Sequence, residues 1–283
     1  MESLDLFKWV NKANNSSDKA FRQSIHTLIH AISNSTFLQE NMIFHGGILM
    51  AIRFQGIRYT KDVDFATSQK CNNIDKDRFI VNLNDELTLS SELLPYNLDC
   101  RVQTYSINPP GGNKNFQTLK IRMAYAYKGS AEHRRLMNKQ CPTILEIDYS
   151  FNEINNNIDT VELEDGSKIK VYSISDFVGE KFRAIIQQKT RNRSRRQDTF
   201  DIYWLLKKQD LSNDDIKMAI LESLIKKSES RGLKVNKYSL SDDEIIKRSK
   251  ENYSTLSIEI EGELPPFEKL YETIKQYYES LPW

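Results

Sequence analysis

The chain has 283 residues, enough for one large domain or two of ordinary size, each with its own core. Its 39% hydrophobic and 28% charged residues give the composition of a soluble globular protein, and 40 Lys plus Arg almost balance 39 Asp plus Glu, so net charge argues neither for nor against a nucleic-acid partner. Cys71, Cys100 and Cys141 fit neither a disulfide framework nor a zinc site, no apolar run approaches the ~20 residues of a membrane span, and the opening MESLDLFKWVNKANN lacks a basic-then-apolar signal, so reduced thiols and a cytoplasmic location are expected.

Phe21, Ile25, Leu28, Ile29 and Ile32 form an apolar stripe at helical spacing over residues 17–32. A short apolar piece, Met42 to Phe44, then enters a turn at Gly46 and Gly47. Ile48 to Phe54 reads as a helix on a sheet and Val63 to Ala66 as a strand. Phe79, Leu83 and Leu87 predict another helix. Leu98 to Ile107 and Phe116 to Tyr127 read as strands joined by a mobile loop with Pro109, Pro110, Gly111 and Gly112. Thr143 to Phe151 alternates almost strictly, and an edge strand is expected over Ile169 to Tyr172. From Ser173 onward helical patterns dominate, with capping-box spacing at Ser212/Asp215 and Ser241/Glu244 and an apolar stripe from Phe267 to Leu281. The expected organisation is an α/β domain over residues 1–172 and a helical domain over 173–283.

Residues 44–65 carry the chemistry. Adjacent glycines at a helix start let the backbone approach a phosphate and offer it N–H donors. In a strand, Asp62 and Asp64 project to one face, ~7 Å apart along the backbone. Val63 and Phe65 interleave them, so one face is buried and the other acidic, and paired carboxylates suit a hard cation shared with phosphates. A third carboxylate should come from a neighbouring strand. Glu146 and Asp148 share a face in an apolar run and either could supply it, Asp148 being preferred.

Lys181 lies on a helix with Phe177, Val178, Phe182 and Ile185 on its apolar face; as a plain surface lysine it would only snorkel. Lys181, Arg183, Lys189, Arg191, Arg193, Arg195 and Arg196 form a run without an acidic residue, a landing site for polyphosphate or RNA. Asp198 and Asp201 follow, and their plain structural role is helix-start electrostatics and pairing with Arg195 or Arg196.

Gly46-Gly47, Arg58, Thr60 and Asp62-Val63-Asp64 together resemble motif one of the AbiEii/AbiGii-type nucleotidyltransferases, members of the polymerase-β-like superfamily that include toxins of toxin–antitoxin and phage-resistance systems. Glu180 to Ala184 looks like the family's lysine-bearing helix. Arg196 to Asp201 is similar to its Arg-Asp segment, and Asp148 stands where the family carries a strand acid. Ile48 replaces a common Thr, and Gln197 intervenes between Arg196 and Asp198.

The resemblance implies a nucleotidyltransferase-like mixed sheet flanked by helices, then a C-terminal helical bundle that completes an active-site cleft. It implies that Asp62, Asp64 and Asp148 hold Mg²⁺ or Mn²⁺, and that Gly46, Gly47, Arg58, Thr60 and Lys181 bind an NTP. Asp198 joins the catalytic set by orienting Lys181 or a basic neighbour. The reaction implied moves an NMP to an acceptor hydroxyl, with tRNA or another RNA as the expected acceptor and an antitoxin as a further partner. Two alternatives are an antibiotic-type small-molecule nucleotidyltransferase, whose acceptor pocket should be acidic, and a noncatalytic RNA- or protein-binding module. The intact acids and Lys181 stand against the latter.

Overall fold

Alternating and helical apolar patterns resolve, in the computed structural model, over residues 2–111 and 114–283. In chain order the elements are β1 (Ser3–Leu4), α1 (Leu6–Asn11), α2 (Ser16–Asn34), α3 (Thr36–Asn41), β2 (Ile43–His45), α4 (Gly46–Arg53), β3 (Asp62–Ala66), α5 (Lys76–Leu93), β4 (Leu98–Asn108) and β5 (Thr118–Tyr127). They continue with α6 (Ala131–Met137), β6 (Ile144–Ser150), β7 (Ile158–Leu163), β8 (Lys168–Tyr172), α7 (Ile174–Arg191), α8 (Arg196–Lys208), α9 (Asp214–Ser230), α10 (Asp243–Lys250) and α11 (Phe267–Glu279). Of the loop expected after β4, Gly112 lies outside the described residues.

The strands form one mixed sheet in the order β1-β7-β8-β2-β3-β6-β5-β4. Its parallel β3/β6 pair lies between antiparallel β2/β3 and β5/β6 pairs. Alternation sends Val63, Phe65, Ile147, Tyr149, Leu119 and Ile121 into the core. Phe44 stacks on Phe65 with ring centroids 5.2 Å apart, and Phe79 of α5 lies on Tyr149 at 5.1 Å. The strand ending at Tyr172 is interior rather than an edge, because β8 pairs with β2 on one side and β7 on the other. The edges are β1 and β4. The missed β7 had a signal: Asp165-Gly166 is a hairpin turn sequence, and Leu163 both donates to Ser167 O (2.8 Å) and accepts from Gly166 N (3.0 Å).

The chain divides into two compact units, the first of residues 1–52, 61–153 and 159–171 and the second of 53–60, 154–158 and 172–283. A single break at residue 172 is thus replaced by one that also assigns Arg53–Thr60 and Ile154–Ile158 to the helical unit. Arg58 shows why for the first segment: it bridges Ile260 across strand-like backbone.

In the second unit α7 is the central helix, packed by α8, α9 and α10. Gly179 lets α9 close on it, since a Cβ there would lie 2.8 Å from Ser223 Oγ and 3.0 Å from Leu224 N. Both expected caps fall one residue late. Asn213 caps α9 by accepting from Asp215 N and Ile216 N, while Ser212 donates to Asp210. Asp242 caps α10 in place of Ser241. A carboxylate or amide oxygen adjacent to the first helical residue wins over the serine before it. The three cysteines are free and buried, and among the described residues no helix is long and apolar enough to cross a membrane.

Candidate active site

The first unit assembles its acids through strand register. Asp62 stands beside Glu146 and Asp64 beside Asp148 on β3 and β6; on β6's other side Glu146 faces Arg122 and Asp148 faces Lys120 of β5. With a side-chain period of two, all six charged groups share the face opposite the Phe65/Tyr149 core. Lys120 Nζ lies 3.6 Å from Asp148, and Arg122 Nε lies 3.1 Å from Glu146. Burial, together with the charges of Asp62 and Glu146, raises the Asp148 carboxyl above its ordinary range despite Lys120. Glu146 is exposed whereas Asp148 is half-buried.

Gly46 opens α4 in a left-handed conformation (φ +78°), and a Cβ there would fall 1.9 Å from Asp64 Oδ2. The glycine therefore serves first to seat the Asp64 carboxylate against the start of α4. Gly46→Ala is expected to cost about 1–2 kcal/mol from the backbone conformation alone, before the carboxylate is displaced. Thermal denaturation checks it, and an unchanged melting temperature would contradict this packing.

Oxygen donors on one face, with Asp148 raised by burial first and by its acidic neighbours second, suit a hard divalent cation. Among the described residues no group of three His, Cys, Asp or Glu side chains stands in metal-holding geometry, and Asp148 is turned to Lys120. Asp62 and Asp64 fit as the primary pair, and Asp148 fits on leaving Lys120.

The second unit surrounds Lys181, which is 7% exposed and so no snorkelling surface lysine. Its Nζ donates to Asp198 (2.9 Å) and Asp201 (2.7 Å) and lies 4.8 Å from the centroid of Phe177. Arg58 grips Asp201 with two bonds, Nε at 3.0 Å and Nη2 at 2.9 Å. Burial opposes the Lys181 charge, but Asp198 and Asp201 outweigh burial and Arg58, so its pKa is raised. Burial also opposes ionisation of Asp201, yet Arg58 and Lys181 hold its carboxyl well below the usual range. Arg195 reaches Asp198 at 3.5 Å, so three cations against two carboxylates leave one net positive charge. Thr60 is half-buried in the Arg53–Thr60 segment. Asp201 is the residue that sequence reasoning undervalued. Its signal was present, because it follows Asp198 by three positions on α8, which puts both on one face.

The basic run is largely compensated, contrary to its appearance in the sequence. Arg183 pairs with Glu180, Lys189 with Asp242, and Arg196 with Glu259 rather than with Asp198 or Asp201. The partners come from elsewhere in the chain or from the turn before, which the run itself does not show.

Residues 30–278 match the sequence model of the nucleotidyl transferase AbiEii toxin family, type IV toxin–antitoxin system. The fold resembles that of a candidate nucleotidyltransferase from H. pylori, at TM-score 0.53 and 12% identity over 94% of this chain and 95% of that one. MenT4, a nucleotidyltransferase toxin from Mycobacterium tuberculosis H37Rv, aligns at TM-score 0.46 and 9% identity over 97% of this chain and 98% of that one. No curated protein sequence matches the chain.

Proposed function

Because the chain belongs to the AbiEii nucleotidyltransferase toxin family, we propose that it transfers an NMP from an NTP to the hydroxyl of an RNA acceptor in a divalent-metal-dependent reaction. The observation that carries this reading is the β3/β6 register, which places Asp62, Asp64 and Asp148 on one exposed face. Asp62 and Asp64 would hold Mg²⁺ or Mn²⁺, with Asp148 as third ligand or as acceptor of the hydroxyl proton. The bound cation supplies charge stabilisation at the transferring phosphoryl group and the leaving pyrophosphate. Backbone N–H groups at Gly46 and Gly47 would bind phosphate oxygens at the start of α4.

In the second unit Asp198 and Asp201 keep Lys181 charged, and Arg58 shares Asp201. Lys181 would bind triphosphate oxygens and offset charge that develops on them, with Arg58 and Thr60 on the nucleotide. A toxin of such a system has an antitoxin as its partner.

The test incubates the protein with Mg²⁺, each labelled NTP in turn and total RNA, with Asp62→Ala in parallel. Label should enter RNase-sensitive product, drop to background with a chelator, and fall ~10²- to 10³-fold in the variant. Equal labelling by Asp62→Ala, or label that survives RNase, would sink the reading.

A further inference from the structure

We propose that Arg191 and Arg193 form a docking surface for the phosphate backbone of the RNA acceptor, with Arg195 reinforcing its field. The proposal rests on the RNA reading above and specifies where the second unit would grip that substrate. Once every ion pair of the basic run is assigned, Arg191 and Arg193 are its remaining members. Both are exposed, and neither makes an ion pair or side-chain hydrogen bond among the described residues.

Their presentation is built rather than incidental. Asn192 between them is left-handed (φ 51°, ψ 48°) and caps α7 through its N–H to Gln188 O. Arg193 N also donates to Gln188 O (3.2 Å), and Arg248 Nη1 donates to Asn192 Oδ1 (2.6 Å). The closed turn holds one guanidinium on each side of a pinned residue. Arg195 follows two residues on from Arg193. After burial, the charges of Arg231, Arg183, Arg193 and Arg195 are what lower the Arg191 pKa, so the guanidiniums feel one another.

Helix dipoles do not account for this concentration. The C-terminus of α7 supplies roughly half a negative charge, against two full positive charges without carboxylate partners. A polyanion with regularly spaced phosphates satisfies them, and guanidinium matches phosphate with paired donors. The exposed stretch 189–193 reads Lys-Thr-Arg-Asn-Arg and offers none of the aromatic or apolar surface that the core of a protein interface requires.

The experiment measures binding of a short fluorescein-labelled single-stranded RNA by anisotropy across a salt titration. It compares the full chain with the double variant Arg191→Gln/Arg193→Gln, both checked for equal melting temperature. Loss of two phosphate contacts should weaken binding roughly 10- to 30-fold near 0.1 M salt and reduce the log–log salt slope by about 1.4. Binding of a fluorescent NTP analogue should not change. Equal RNA affinity and slope in the two proteins would overturn the proposal, as would a wild type that binds an acidic peptide but no RNA. Loss of RNA binding in the variant supports the surface whether or not label is transferred, so a failed transfer assay counts against the chemistry alone.

Discussion

Asp201→Ala is expected to destabilise the helical unit by about 3–5 kcal/mol, the cost of stranding buried charges. The residue is 1% exposed and holds Arg58 and Lys181 at once, so its loss leaves Lys181 with Asp198 alone and Arg58 without its bidentate partner. Asp201→Asn should lie between, because the amide retains one acceptor but no charge. Urea denaturation at neutral pH measures the difference. The pH dependence gives a second check. The Asp201 carboxyl is depressed below its ordinary value of 3.8, so its contribution is fully present above that value and fades as the pH falls below it. Wild type and variant should therefore converge in acid, and a gap that persists unchanged below pH 3.8 would assign the loss to packing rather than charge.

Asp64→Asn should reduce nucleotidyl transfer by ~10²- to 10³-fold with little change in melting temperature. The substitution keeps the shape that fits against Gly46 and removes the charge that a cation needs. It also relieves crowding on the acidic face, so stability should hold or rise slightly. Comparison with Gly46→Ala separates the two roles of this corner, since that variant keeps the charge and moves it. A steady-state assay with labelled NTP reads both. Transfer by Asp64→Asn within tenfold of wild type would remove Asp64 from the chemistry.

The acidic face of the first unit was legible in the sequence because strand periodicity is local. Asp62-Val63-Asp64 and Glu146-Ile147-Asp148 declare their faces without knowledge of the fold, and the parallel register then sets them side by side. What periodicity could not show is what neutralises them, because Lys120 and Arg122 sit on a strand whose partner is chosen by topology. The Lys181 cluster of the second unit was harder to read for the same reason. Arg58 and Asp201 are 143 residues apart, and nothing local to either announces the pair. Arg196 goes to Glu259, which left Asp198 and Asp201 available to Lys181. The long helices were readable from apolar spacing, whereas the short α1, α3 and α6 were not, and β7 and both caps turned on single residues that compete with their neighbours.

The alternation of cations on β5 with acids on β6 has a consequence for the order of events in the life of the chain. Four carboxylates on two adjacent strands repel one another, modestly because the face is open to solvent. Here Lys120 and Arg122 travel with the sheet as tethered counter-ions, so strand pairing does not wait for one. If the acidic face takes a divalent cation, as proposed, folding and metal loading would be separable, and Asp148 would have to give up its pairing with Lys120 to serve as a ligand. That exchange would lower affinity for a free ion only slightly, since the Lys120–Asp148 pair is partly exposed to solvent, and would favour an ion that arrives already bound to nucleotide phosphates.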